Sequence, residues 1–267
     1  MRQQSSRLLA SVALTAVLAA GLGGCQTMAD VTGSLSPKAT ATPDTDSHRA
    51  VEITGERYRA DPKNAEAALA YGQALRATGQ RSQAAAVLEQ ATISHPGDKA
   101  LLAGYGRALA DNGNFQQAFD VLSRAHSPDN PDWRILSVQG AALDQLGRHD
   151  EARRYYATAL KIVPDEPSVL SNLGLSYVLS KNLPKAEEVL RQAYAGGTSD
   201  ARVRQNLALV IGLQGRFAEA EQIVRADLPA DEAAANVAYL KQMLNRKDDP
   251  RMAAAGKLPV ASLNRPE

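Results

Sequence analysis

Three scarcities frame this chain. One cysteine, Cys25, in 267 residues leaves no internal disulfide to form, so the fold must hold by packing alone. Aromatic residues amount to 4%, so a core has to be assembled mainly from alanine and aliphatic side chains, which suits helix-on-helix packing. Neither sign of charge dominates: a formal net charge of +1 argues against a nucleic-acid binder, which needs a dense basic surface. Long apolar runs are missing too. The uncharged stretch 8–24, ahead of the cysteine, has seventeen residues, which is short for a bilayer span.

What the chain does have is a ruler. Gly72, Gly106, Gly140 and Gly174 recur at a 34-residue step, with Ala208 at the fifth mark. Ala84, Ala118, Ala152, Ala186 and Ala220 keep the same step twelve residues later. Within one period, Leu136, Gly140 and Leu143 recur at three- and four-residue intervals. Gly147-Arg148 then breaks the pattern before Ala152, Tyr156 and Ala159 resume it. This predicts helix, tight turn and second helix, with Pro62, Pro96 and Pro164 as stop signals. Glycine inside a helix costs about 1 kcal/mol relative to alanine, so its return at a fixed place implies close helix approach, where only a hydrogen or a methyl fits. Such pairs cannot bury their apolar faces alone. At least three must stack, and the stack is expected to share one continuous elongated core.

These residues resemble the tetratricopeptide repeat. Leu102-x-x-Tyr105-Gly106-x-x-Leu109 with Ala118, Leu122 and Ala125 is close to the pattern, as is Leu170-x-x-Leu173-Gly174-x-x-Tyr177 with Ala186, Leu190 and Ala193. The likeness covers about Ala65 to Asp227. It implies an all-α fold, a tetratricopeptide-repeat right-handed superhelix of about five helix pairs with capping helices at both ends. The fifth unit departs from the pattern, with Ala208 for the glycine, Arg204 for the first large apolar residue and Asp227 for the last alanine. Terminal repeats turn polar toward water, so this unit reads as an end cap.

The start of the chain has the layout of an export signal: Arg2 and Arg7, the uncharged stretch, then Leu22-Gly23-Gly24-Cys25. That last run resembles the lipobox of bacterial lipoproteins, which implies that Cys25 is the lipidated first residue of the mature protein. Several acyl chains, at about 0.8 kcal/mol per buried CH₂, would hold it on a membrane. By the same resemblance Gln26, which is not Asp, favours the outer membrane, with the chain facing the periplasm. An uncleaved membrane helix, or a secretory signal with an incidental cysteine, is the competing reading.

The expected organisation is a lipoprotein signal peptide over 1–24, a flexible tether over 25–47 after the lipidated cysteine, and an N-terminal capping helix over 48–64. Five repeats follow over 65–230, then a C-terminal capping helix over 231–245 and a disordered tail over 246–267. About forty residues remain after the repeats, too few for a catalytic domain, so the chain is expected to be no enzyme. His48 falls in the tether region, His95 and His126 at repeat ends and His149 in an inter-helix turn, and each reads as a solvated turn residue without metal-ligand spacing. Trp133 reads as packing. No cofactor, metal, nucleic acid or small-molecule substrate is expected.

In the resembled family, ligand-facing residues occupy the second, fifth, ninth, twelfth and thirteenth places of each unit. That register implies a partner-binding groove with a basic half, Arg76, Arg107 and Arg134, and an apolar half, Leu175, Val178, Leu179, Leu209 and Leu213. The pairing suits an extended or helical peptide with acidic and apolar positions. The alternative is that the apolar places are buried where the superhelix closes or the last helix packs. The basic clamp of chaperone-binding repeats is absent, since Leu69 and Gln73 occupy its polar places.

Lipid anchor, tether, five repeats and the segments 201–220 and 236–240 together resemble, over most of the mature chain, the TadD lipoproteins of Flp (tight adherence) pilus assembly. The resemblance implies a pilotin-like scaffold whose partners are the secretin or other pilus-assembly components. A repeat lipoprotein that regulates cell-wall hydrolases or outer-membrane protein insertion is the second reading.

Overall fold

The computed structural model describes residues 45–196 and 200–247. Among them lie twelve α-helices and no strand, the one extended feature being an isolated bridge between Ser127 and Asn130. Helix α1 is Thr45–Ala60. Five pairs follow: α2 Ala65–Ala77 with α3 Arg81–Ser94, α4 Lys99–Asp111 with α5 Phe115–Ala125, α6 Trp133–Gln145 with α7 His149–Ile162, α8 Pro167–Leu179 with α9 Leu183–Ala195, and α10 Ala201–Leu213 with α11 Phe217–Val224. Helix α12, Ala230–Lys247, ends the array. The chain is therefore all-α and its period is a helix pair.

Boundaries differ from expectation at both ends. Helix α1 takes in the last residues expected of the tether and stops at Ala60, ahead of Pro62. Helix α12 begins at Ala230 and runs on through Arg246 and Lys247, past the expected start of the tail. The signal peptide, most of the tether including Cys25, and 248–267 lie outside the described residues.

Each first helix starts for the same local reason. Asn64, Asp98, Asp132, Glu166 and Asp200, one period apart, each accept a backbone N–H of the first turn, at 2.9 Å for Ala67 and 2.7 Å for Arg134. Each pair then turns through one left-handed residue, Gly79, Gly113, Gly147 and Gly215, with Lys181 at φ 61° in the fourth unit. There the N–H of the next residue returns to a carbonyl of the last helical turn, as Gln80 does to Leu75 at 2.8 Å, closing the helix end.

The small-residue ruler marks the seam inside each pair. A Cβ added at Gly106 would lie 2.5 Å from Leu122 Cγ, and one at Gly140 would lie 2.6 Å from Tyr156 Cε1. Gly72 faces Leu88 and Gly174 faces Leu190 in the same way. At these four places only a hydrogen fits, which corrects the allowance for a methyl. In the fifth unit Ala208 carries the methyl, and its counterpart is Val224 instead of leucine; both are buried in one cluster. The carbon that the first helix gains is the carbon that the second helix lacks. The alanine series is buried throughout, from Ala84 to Ala220.

Arg204 and Asp227 overturn the reading of a water-facing end cap. Their side chains are only 13% and 12% exposed, and they bind each other, with Arg204 Nε donating to Asp227 Oδ2 at 2.8 Å. An ion pair spans the pair where the second to fourth units place a leucine against an alanine. Helix α12 then closes the end by burying Ala233 and Leu240 against α10 and α11.

Instead of one unbroken core, four apolar clusters adjoin along the array. Leu160 and Leu173 belong to two of them, as does Tyr177. Among the described residues, helices touch only the next helix or the next but one. First helices of successive pairs touch, α2 with α4 and so on to α10 with α12, while second helices do not touch each other. First helices therefore line the inner side of the curve.

Candidate functional site

The inner side has two unlike halves. In the first, α5 stops at Ala125, nearly a turn earlier in its unit than α3 or α7. The cause is local: Pro128 and Pro131 lack backbone donors, and each pushes the preceding residue away from helical geometry. Residues 126–132 form a short loop instead, held by the Asn130 N–H on the Ser127 carbonyl at 3.1 Å. His126 then reaches the buried Gln139, Nε2 to Oε1 at 3.0 Å, and Gln139 donates to Ser123 Oγ at 3.0 Å. His126 is thus a half-buried member of a polar cluster, not a solvated turn residue.

A hollow of about 370 Å³ lies between α2, α4 and α6, with Ala125, His126 and Asn130 from the shortened end of α5 and its loop on the wall. Leu69, Ala103 and Ile135 supply apolar wall, while Lys99, Arg107, Arg134 and Asp132 supply charge. Of the three arginines expected on the basic half, the structure brings Arg107 and Arg134 together here. Arg76 stands beside them but is held by Asp111 at 2.6 Å. Arg134 lies over the Trp133 ring, 4.4 Å from its centroid, while Trp133 packs against the α6–α7 core.

Arg107 is the anomalous group. Burial lowers its pKa, and the nearby charges of Arg76 and Arg134 lower it further, with Asp132 and Asp111 opposing them. Neither acid pairs with it. Asp111 holds Arg76, and Asp132 caps α6 through the Arg134 N–H. Among the described residues Arg107 has no ion pair within 4.0 Å and no hydrogen bond, so a half-buried planar donor fork faces a hollow unfilled.

The second half is less open than the sequence implied. Leu209 is 8% exposed and sits in the core, so it offers a partner almost no surface. Val178 packs against the cluster built on α10 and α11. Leu175, Leu179 and Leu213 are half-buried, leaving a thin apolar strip. A polar ladder runs beside it at one-period steps: Asn172 donates to Ser137 Oγ at 3.1 Å and Asn206 to Ser171 Oγ at 2.7 Å. Amides that bridge first helices here leave no trace in the apolar register.

His48 lies exposed on α1, whereas His95 and His149 are structural. His95 Nε2 meets the Lys63 carbonyl at 2.7 Å, linking successive units. His149 Nδ1 lies 2.8 Å from Asp144 Oδ1, which is not the environment of a solvated turn. Asp144, 6% exposed, also accepts from Tyr156 Oη at 2.9 Å and Ser176 Oγ at 2.8 Å. Burial, with the Asp144 charge added, pushes the Tyr156 phenol well above its ordinary pKa, so it stays a donor. This hub ties three helices, α6, α7 and α8. Among the described residues there is no group of three potential metal ligands, and no helix is long and apolar enough to cross a membrane.

Three family models match the chain, each described as a tetratricopeptide repeat, over residues 72–132, 134–199 and 201–226. Together they span more than half of it. No curated protein matches in sequence. Among solved structures, the chain is similar to PilW, a widely conserved type IV pilus biogenesis factor, at 18% identity and TM-score 0.63 over 80% of this chain and 99% of that one. It is similar to the Cut9–Hcn1 hetero-tetramer of the APC/C at 18% identity and TM-score 0.60, over 75% of this chain and 41% of that one. TTC0263, a protein of Thermus thermophilus, aligns at 21% identity and TM-score 0.58 over 67% of this chain and its whole length. At these identities the likeness is one of fold.

Proposed function

The chain belongs to the tetratricopeptide-repeat family, and from that premise we propose that it is a non-enzymatic, lipid-anchored scaffold that holds partner proteins on its inner face. The observation that carries the reading is the inner surface itself: a charged hollow containing an unpaired arginine, followed by a half-buried strip of leucines. Such a surface binds by complementarity and leaves covalent chemistry to others. The anchor rests on Leu22-Gly23-Gly24-Cys25 and the outer-membrane address on Gln26. The secretin or another component of Flp pilus assembly is the proposed client, on the strength of the segments 201–220 and 236–240. A tethered groove of this kind acts by raising the local concentration of its client at the membrane.

The test uses the full chain in cells that carry the pilus genes. Cys25→Ser is expected to move the protein from the membrane to the soluble fraction and to reduce assembled secretin. Unchanged fractionation would remove the anchor from the proposal. Normal secretin assembly in cells lacking the whole protein would remove the pilus client.

A further inference from the structure

The hollow has its own chemistry, and its role depends on the inner face docking partners, as proposed above. We propose that this hollow is a subsite for an internal Asp or Glu side chain of an extended partner segment, its carboxylate received by the Arg107 guanidinium, with Lys99 and Arg134 completing the positive wall. Two observations carry this. A local exception supplies part of the wall, because α5 stops at Ala125 while α3 and α7 run further in their units, and His126 and Asn130 of the loop that follows line the hollow. Its central donor group is half-buried and unpaired among the described residues, while Asp111 meets Arg76 and Asp132 caps the start of α6. A guanidinium that no protein acceptor meets keeps its donors open to a guest, and a planar carboxylate is the acceptor its fork fits.

The wall also sets the charge and shape of the guest. Asp132 faces the same space as the three cations, so the wall is net positive and favours an anionic guest. Leu69 and Ile135 offer apolar contact to the methylene stem of such a side chain. The hollow opens along a face lined by successive helices, so it admits a residue within a chain that continues on both sides.

The experiment places a photo-crosslinking residue at Gln73, beside the hollow, or at Gln205, farther along the inner face, in the full chain in its own cells. The wild type is expected to crosslink from Gln73 to a partner segment with an Asp or Glu next to the captured residue. Arg107→Met is expected to lower that yield by about tenfold or more, the scale of one lost charge-assisted hydrogen-bond pair. Its urea midpoint should stay level or rise, because the substitution also removes repulsion from Arg76 and Arg134. Arg107→Glu should restore capture when the partner's acid is changed to Arg.

Each other outcome overturns something specific. Wild-type yield from Arg107→Met, with both positions still crosslinking, would sink the subsite and leave the groove standing. A lowered urea midpoint that tracks the lost capture would make Arg107 structural. Mapping to a partner's C-terminus with no acidic side chain nearby would refute the internal carboxylate. Failure of both positions to capture any protein would bring down the docking face together with the subsite.

Discussion

The seam between Gly106 and Leu122 can be rewritten using the chain's own fifth unit as the guide. Gly106→Ala returns about 1 kcal/mol of helix propensity. It also drives a Cβ to 2.5 Å from Leu122 Cγ, an overlap that costs about 1–3 kcal/mol when a packed core has to shift. The expected net loss is about 1 kcal/mol. Leu122→Val alone removes a buried methylene and leaves a small void, for a loss of about 1 kcal/mol. If the two changes were independent, the double variant would be about 2 kcal/mol less stable than the wild type. Packing predicts otherwise, because the carbon added on α4 fills the space vacated on α5, as Ala208 and Val224 share one cluster on α10 and α11. The double variant should fall within about 0.5 kcal/mol of wild type, a coupling of about 2 kcal/mol. Urea unfolding followed by far-UV circular dichroism measures all four proteins. A double variant at the additive value would refute the claim that the glycine exists to admit the leucine.

Arg204→Ala should cost about 3 kcal/mol by leaving the largely buried Asp227 unpaired, whereas Arg204→Leu with Asp227→Ala, the apolar pair of the second to fourth units, should unfold at the wild-type urea midpoint or above it. Glu187 offers a pH test. Arg216 foremost, then Gln214 and Arg191, hold its carboxyl down at about 2 against an ordinary 4.5, so its contribution is complete above about 4.5 and is lost as pH falls toward 2. It amounts to at most about 3 kcal/mol, and Glu187→Gln should flatten the fall of the urea midpoint across that window. Lys181→Gly should raise the midpoint by up to about 1 kcal/mol in stability, since φ 61° strains a lysine and not a glycine; an unchanged or lower value would show that the turn is unstrained.

The pairing of helices was legible because a hydrogen-sized gap must recur wherever two helices cross in the same way, and Gly72 to Gly174 recorded it at constant step. The caps from Asn64 to Asp200 recorded the same step and could have marked each helix start. Less legible was anything that depends on two distant substitutions meeting. Arg204 and Asp227 each read as a departure, and only their contact shows that one answers the other. Leu209 follows the same rule in reverse: its register places it on the inner face, but burial depends on how closely its neighbours approach, and it sits in the core. Part of the hollow's wall was written in His126–Pro131, where two prolines three residues apart shorten a helix, yet its consequence for Arg107 appears only when α2, α4 and α6 stand side by side.

Because every helix leans only on the next one or two, the molecule has no keystone. A length of gene that encodes one period could be duplicated or deleted at the turns around Gly113 and Gly147, and each surviving joint would still meet a surface of its own kind. Lineages could therefore lengthen or shorten this protein by whole modules to match the size of a client. Under tension it should give way joint by joint, like a row of hinges.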